Sequence, residues 1–348
     1  MPRLPKNPRV AIVGSTGAVG VEILRVLEQR AFPLASLHLL ASERSAGTTQ
    51  TFAGRALPVE ALSADAFEGI DLALFCASGP IAREFAPIAA GAGAVVVDNS
   101  SAYRMDPGVA LVVPEANAHA IDALPDQRII ANPNCSTIIL VTATDALERA
   151  FGIDRIVVST YQAVSGAGAP GLEELERLIG QAARGETLEP KFFPYPCVHN
   201  VFCHESAVDP VTGRNVEEQK MIEEARKIWS RPDLRVTATC VRVPVPRVHC
   251  ESINLTVRTP ATEAEVRSAI GSASGVRVVD DRTSPRFPMP VDTAGGDEVL
   301  VGRIRPDDSQ PHEGGRYTGW DLFCAGDQLR KGAAQNAVQI AELLLDRG

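Results

Sequence analysis

"RVAIVGSTGAVGVEILRVLEQR", residues 9–30, decides the fold of the N-terminal half. Val10 to Val13 form an apolar run of buried-strand length, and Val19, Ile23, Val26 and Leu27 then recur at helical spacing. Between the two stand Gly14, Gly17 and Gly20 in the pattern G-x-x-G-x-x-G, a variant of the dinucleotide fingerprint. Glycine permits the tight turn, and the N–H groups that open the helix can hold a pyrophosphate.

Working outward, "LASLHLLAS" (34–42), "GIDLALFCAS" (69–78) and "GAVVVDNSS" (93–101) are further apolar runs of strand length. Continuous apolar strands alternating with helices predict a parallel sheet covered on both faces, hence an N-terminal doubly wound, Rossmann-type domain. Beyond residue 151 the pattern changes. "DRIVVSTYQAV" (154–164), "RVTATCVRVPV" (235–245) and "SINLTVRT" (252–259) alternate, as in a largely antiparallel sheet with one buried face. Helices are expected near 171–184 and 216–230, and "DQLRKGAAQNAVQIAELLLDRG" (327–348) reads as an amphipathic helix. The fold class is therefore α/β followed by α+β.

The formal charge of −9 opposes nucleic acid and anionic membranes as main partners, so any anionic substrate needs a local basic cluster. No run approaches the roughly 20 apolar residues of a membrane span, and "MPRLPKNPR" lacks the apolar core of a secretory signal, so a cytoplasmic protein is expected. Seven cysteines without regular spacing fit thiols in a reducing compartment. "CVHNVFCH" (197–204) offers Cys197, His199, Cys203 and His204, but zinc sites usually pair separated ligands, and no metal is expected.

The second strand of such a domain commonly ends in an acid that binds the ribose of NAD. Here it ends in Ala41 and Ser42, followed by Glu43, Arg44 and Ser45. Arginine and serines suit a 2′-phosphate and favour NADP, while Glu43 keeps NAD open.

In "ANPNCSTIIL" (131–140), Asn134 can cap a helix whose first turn holds Cys135. The positive end of a helix favours thiolate, the nucleophilic form. On this stretch alone a reactive and a structural cysteine weigh equally; Cys76 and Cys240 sit in strand patterns and read as core. A reactive cysteine beside a nicotinamide suggests thioester chemistry, which needs a proton-handling group. His249 in "VRVPVPRVHCES" is the histidine with the most suggestive company, because Pro244 and Pro246 fix it relative to Arg242.

Together, "GSTGAVG", "ASERSAG", "VVDNSSAYRMDP", "NPNCSTI", "YQAVSGAG", "EEQKM", "RVPVPRVHCES" and "GDQLRKGAAQNAVQIAE" resemble the aspartate-semialdehyde dehydrogenase family along nearly the whole chain. The resemblance implies a cofactor domain over 1–133 completed by 327–348, and a catalytic and dimerisation domain over 134–326. It makes Cys135 the nucleophile, His249 the acid/base group and Gln162 the residue that orients substrate. Arg242 would bind the substrate carboxylate and Glu217 its ammonium, with Arg104, Asn134 and Lys220 on phosphate. Taken alone, Glu217 and Lys220 would read as a surface ion pair. NADP(H) would rest on Gly14, Thr16, Gly17, Ala18, Val19, Arg44, Ser45, Ser165, Gly166 and Gln328.

The implied reaction is the reversible reductive dephosphorylation of L-4-aspartyl phosphate to L-aspartate 4-semialdehyde and phosphate through a cysteine thioester, feeding lysine (via diaminopimelate), threonine and methionine synthesis. A homodimer is implied, with tetramers in some members. Two alternatives stand beside it: another acyl-phosphate reductase, such as the N-acetylglutamyl-phosphate enzyme, and a non-catalytic paralogue.

Overall fold

The computed structural model describes residues 3–123 and 128–345. These group into two compact units, one comprising 1–134 with 332–348 and the other 135–331.

The first unit is built on strands β1 (Arg9–Val13), β2 (Ser36–Ala41), β3 (Thr49–Phe52), β4 (Arg55–Ala61), β5 (Leu72–Phe75), β6 (Val95–Asp98), β7 (Ala110–Leu111) and β8 (Ile129–Ala131). Their order across the sheet is β3-β4-β2-β1-β5-β6-β8-β7, and every pair is parallel except β3–β4. Helices α1 (Ala18–Gln29), α2 (Gly79–Gly91) and the single turn α3 (Pro114–Asn117) connect them. Val10 to Val13 and all of β5 and β6 are buried, which is why these strands read as unbroken apolar runs. The β3–β4 hairpin was not expected. It turns at Ala53 and Gly54, both with positive φ, where the usual signal would be Asn-Gly.

Glycines at the first turn act by close approach. Gly14 has φ +84°, and a Cβ there would lie 2.9 Å from the Cys76 carbonyl oxygen. A Cβ on Gly20 would lie 2.3 Å from the Gly14 carbonyl oxygen, so only glycine lets α1 fold back onto the loop. Cys76 itself departs from the expectation of a core strand residue: it follows the end of β5 and is only partly buried.

The second unit holds helices α4 (Cys135–Phe151), α5 (Ala169–Ala183), α6 (Val216–Ile228), α7 (Glu263–Gly271) and the turn α8 (Pro290–Thr293). Its strands are β9 (Ile153–Gln162), β10 (Phe202–Cys203), β11 (Arg235–Arg242), β12 (His249–Ala261), β13 (Val276–Val278), β14 (Val299–Pro306), β15 (His312–Glu313) and β16 (Arg316–Gly326). The order β10-β11-β9-β12-β16-β14-β13 is mostly antiparallel, with β15 paired to β16. Two pairs depart from that expectation. β11 runs parallel to β9 because the helical connection α5–α6 carries the chain back to the same end, and β13 runs parallel to β14. One face of this sheet packs on α4, α6 and α7 through Ile139, Leu140, Leu147, Ile253, Leu255 and Trp320.

The last segment differs from one amphipathic helix. Residues 328–329 form a turn, Arg330–Ala334 a π-turn, and only Gln335–Leu345 (α9) an α-helix. Asn336, Ala337, Val338, Ile340 and Ala341 are all fully buried in the first unit's core.

Candidate active site

In the second unit the expected catalytic residues converge at the ends of three elements. Cys135 is the first residue of α4 and is partly exposed. Ser136 follows it, and its Oγ accepts a hydrogen bond from Gln162 Nε2 (2.9 Å) at the end of β9. The same Nε2 donates to Glu217 Oε1 (3.0 Å), and Glu217 Oε2 accepts from Lys220 Nζ (3.1 Å) one turn along α6. An Asn215–Glu218 capping box fixes that end of α6. Glu217 is 4% exposed, so its pair with Lys220 is not the solvated surface contact that spacing alone suggested.

Gln162 is 1% exposed, and its Oε1 has no hydrogen-bond partner. A buried acceptor without a donor is costly, so this oxygen would gain from a donor brought to it.

His249 opens β12 and is fully buried. Its Nδ1 accepts the backbone N–H of Ala163 (3.0 Å). Nδ1 therefore carries no proton, and the neutral ring holds its hydrogen on Nε2, which is buried and has no partner. Burial, reinforced by the Arg242 charge, lowers the pKa of this imidazole to about 3, so the ring is neutral at physiological pH.

Gly166 lies directly against both groups. A Cβ there would sit 3.0 Å from His249 Nε2 and 3.2 Å from Arg242 Nη1. Ser165 and Gln328, expected on the cofactor, form a bridge in this unit. Gln328 Nε2 donates to Ser165 Oγ (2.6 Å), and its Oε1 accepts the N–H of Val248 (2.7 Å). Val248 has φ +83°, a strained conformation for a β-branched residue, and it precedes His249.

Arg242 ends β11 and is 1% exposed. Its guanidinium lies 5.6 Å from the centre of the Phe193 ring and meets two residues outside the expected site. Glu205 accepts from Nη2 (2.6 Å) and Nε (3.3 Å), and His204 Nε2 faces Nη2 at 3.0 Å. Burial drives the His204 pKa down despite the neighbouring Glu217 carboxylate. Burial opposes the charge of Glu205, but the hydrogen bond from Arg242 still holds its pKa below the ordinary value. His204 belongs to the cysteine- and histidine-rich stretch singled out in the sequence. No group of three or more His, Cys, Asp or Glu among the described residues is arranged to hold a metal ion.

The first unit carries the other expected residues. α1 begins after Gly17 with no side-chain cap and no acid in its first turn, so the N–H groups around Ala18 and Val19 are suited to an anion. Thr16 Oγ1 contacts Ser45 Oγ at 3.5 Å, bringing the glycine loop and the turn after β2 together. Arg44 is exposed on that turn. With the close approaches at Gly14 and Gly20, these residues fit a phosphorylated dinucleotide. Arg104 is buried and donates to the carbonyls of Asn132 (2.9 Å) and Asn99 (2.8 Å), and Asn134 is 5% exposed.

A nucleotide-binding sheet followed by a mostly antiparallel unit that opens on a helix-terminal cysteine defines a class. Residues 9–124 match the family described as "Semialdehyde dehydrogenase, NAD binding domain", and residues 145–331 match "Semialdehyde dehydrogenase, dimerisation domain". Over 347 residues the chain is 50% identical to the aspartate-semialdehyde dehydrogenase of Synechocystis sp., covering 99% of each. It is 43% identical to that of Bacillus subtilis over 343 residues, covering 96% of each. The crystal structure of aspartate semialdehyde dehydrogenase II from Vibrio cholerae superposes with a TM-score of 0.93 at 41% identity, covering 98% of this chain and 99% of that one. The chain belongs to the aspartate-semialdehyde dehydrogenase family, oxidoreductases acting on an aldehyde group.

Proposed function

We propose that the protein interconverts L-4-aspartyl phosphate with L-aspartate 4-semialdehyde and phosphate, using NADP(H) and a thioester on Cys135. In the reductive direction the Cys135 thiolate adds to the acyl carbon and phosphate leaves. When bound, the nicotinamide supplies hydride to that carbon. The resulting alkoxide shares the proton held on His249 Nε2; as the C–S bond breaks and the aldehyde forms, the proton returns to Nε2 and the thiolate is restored. Glu217 and the unpartnered Oε1 of Gln162 give the substrate ammonium two acceptors, and Arg242 takes the α-carboxylate. Arg104, Asn134 and Lys220 bind phosphate. Gly14, Thr16, Gly17, Ala18, Val19, Arg44, Ser45, Ser165, Gly166 and Gln328 serve the cofactor, with Arg44 selecting the 2′-phosphate.

One observation carries this reading. Among the buried polar atoms, an acceptor without a donor (Gln162 Oε1) and a nitrogen without a partner (His249 Nε2) both belong to residues tied to the start of α4 or the end of β9. An amino aldehyde supplies what each lacks: ammonium hydrogens for the first and a carbonyl oxygen for the second. The buried Glu217 also favours a free amine over an N-acetylated substrate. One solved relative, that of Vibrio cholerae, is described as complexed with ASA, which supports the same substrate here.

A homodimer is proposed through the open face of the second sheet, where Tyr161, Val243, Val245, Val248, Cys250 and Phe323 line an apolar hollow. No described helix is long and apolar enough to cross a membrane. We place the enzyme in the cytoplasm, a setting that suits seven thiols. The test is NADP reduction over a panel of aldehydes, with and without phosphate. Strict phosphate dependence with aspartate semialdehyde is expected. Preference for N-acetylglutamate semialdehyde, or turnover indifferent to phosphate, would overturn the reading.

A further inference from the structure

Arg242 is already gripped by another carboxylate. Arginine has five N–H hydrogens and binds a carboxylate best through two parallel ones, along either of two edges. The Nε–Nη2 edge holds Glu205, through Oε2 at 3.3 Å and Oε1 at 2.6 Å. On the other edge the second Nη2 hydrogen faces His204 Nε2 at 3.0 Å, and Nη1 donates to the Ala163 carbonyl at 2.8 Å. Neither edge is open to a two-point grip on an incoming carboxylate.

The two partners differ in what they can do about it. The Arg242 side chain is 2% exposed, whereas that of Glu205 is 23% exposed. Glu205 lies just beyond β10, so its carboxylate can turn into water, and the guanidinium has nowhere to go. Exchanging one carboxylate for another on the same edge never leaves the buried guanidinium unpaired, which is the expensive state for an ion in a protein interior.

We propose that Glu205 occupies the seat of the substrate's α-carboxylate on Arg242 and is displaced when substrate binds. This rests on the substrate-binding role of Arg242 proposed above. It makes Glu205 a residue that tempers specificity: a ligand with an α-carboxylate must displace it from the fork, whereas one without leaves it in place, so Glu205 lowers the preference that Arg242 confers. It also weakens apparent substrate affinity by the fraction of time Glu205 holds the fork.

The test compares the parent enzyme with Glu205→Gln, Glu205→Ala and Arg242→Gln. The substrates are aspartate semialdehyde and 3-aminopropanal, the same aldehyde without the carboxylate. Both Glu205 variants are expected to lower KM for aspartate semialdehyde about three- to tenfold and to raise its kcat/KM preference over 3-aminopropanal by the same factor. Arg242→Gln should erase that preference. If Arg242→Gln leaves it intact, the Arg242 role itself fails. If Arg242→Gln erases it and the Glu205 variants leave it unchanged or lower it, the displacement is overturned and Glu205 only positions the arginine. Thermal melts of each variant confirm that folded protein is compared.

Discussion

The Ala163 N–H points at His249 Nδ1 across 3.0 Å, and that bond decides how the ring can work. A backbone amide can only donate, so the imidazole cannot also carry a proton on Nδ1. The working atom is Nε2, with its hydrogen in place.

With the folded-state pKa lowered to about 3 by burial and then by Arg242, His249 does not change charge between pH 5 and 8. The kcat profile should show no inflection near 6.5 that depends on this residue, while His249→Gln lowers kcat by roughly 10²–10⁴-fold. An inflection near 6.5 in the parent that disappears in His249→Gln would contradict the assignment.

The thiol is tested by separating binding from turnover. Cys135→Ala should abolish NADP reduction with aspartate semialdehyde and phosphate while leaving cofactor binding, measured by fluorescence titration, intact. Residual turnover within tenfold of the parent would remove the thioester from the mechanism.

Gln162 ties Ser136 to Glu217 and keeps one acceptor open. Truncation to alanine removes a bond to a charged partner, worth roughly 1.5–3 kcal/mol, so kcat/KM for aspartate semialdehyde should fall about 10- to 100-fold. A loss confined to thermal stability, with kinetics preserved, would make the residue a purely structural clamp.

Cofactor choice is read at Arg44. Arg44→Ala should raise KM for NADP about tenfold or more and leave KM for NAD nearly unchanged, since only the former carries the 2′-phosphate. Equal effects on both cofactors would reassign the residue.

Glu251 offers a stability measurement away from the chemistry. It is fully buried within β12, its Oε1 has no partner, and burial raises its pKa well above the ordinary carboxyl value. The unfolded chain releases this proton near pH 4.5 and the folded chain keeps it, so the stability it contributes is intact below that pH and is lost as pH rises. Glu251→Gln should raise stability by roughly 1 kcal/mol or more at pH 7.5 and change little at pH 4. Equal melting shifts at both pH values would show that the group does not hold its proton on folding.

Much of this was legible in the linear sequence because its signals are local. The glycine loop, the apolar strands of the first sheet and the polar turn before α4 each depend on neighbours within a few residues. The β3–β4 hairpin escaped because Ala53 adopts a positive φ that alanine seldom takes. The parallel pairing of β9 with β11 escaped because alternation reports a half-buried strand and not its direction. At the site, the sequence supplied Arg242 and His249 but neither of their partners. Glu205 reaches Arg242 because Phe202 pairs with that arginine across two strands, and the proton position on His249 depends on the amide of Ala163, just past the end of β9. Such long-range contacts leave no trace in residue spacing.

α9 belongs to the first unit although the whole of the second lies between them in the chain. Ala334, Ala337, Val338, Ile340, Ala341 and Leu344 complete a core whose other buried members, from Leu4 to Ile130, are synthesised long before. The N-terminal part of the chain therefore keeps an open apolar groove until α9 is made, and the inserted unit, whose core lies wholly between, can close first. The unit begun first can thus be completed only after the unit inserted in it, and a chain lacking α9 would expose that groove to chaperones.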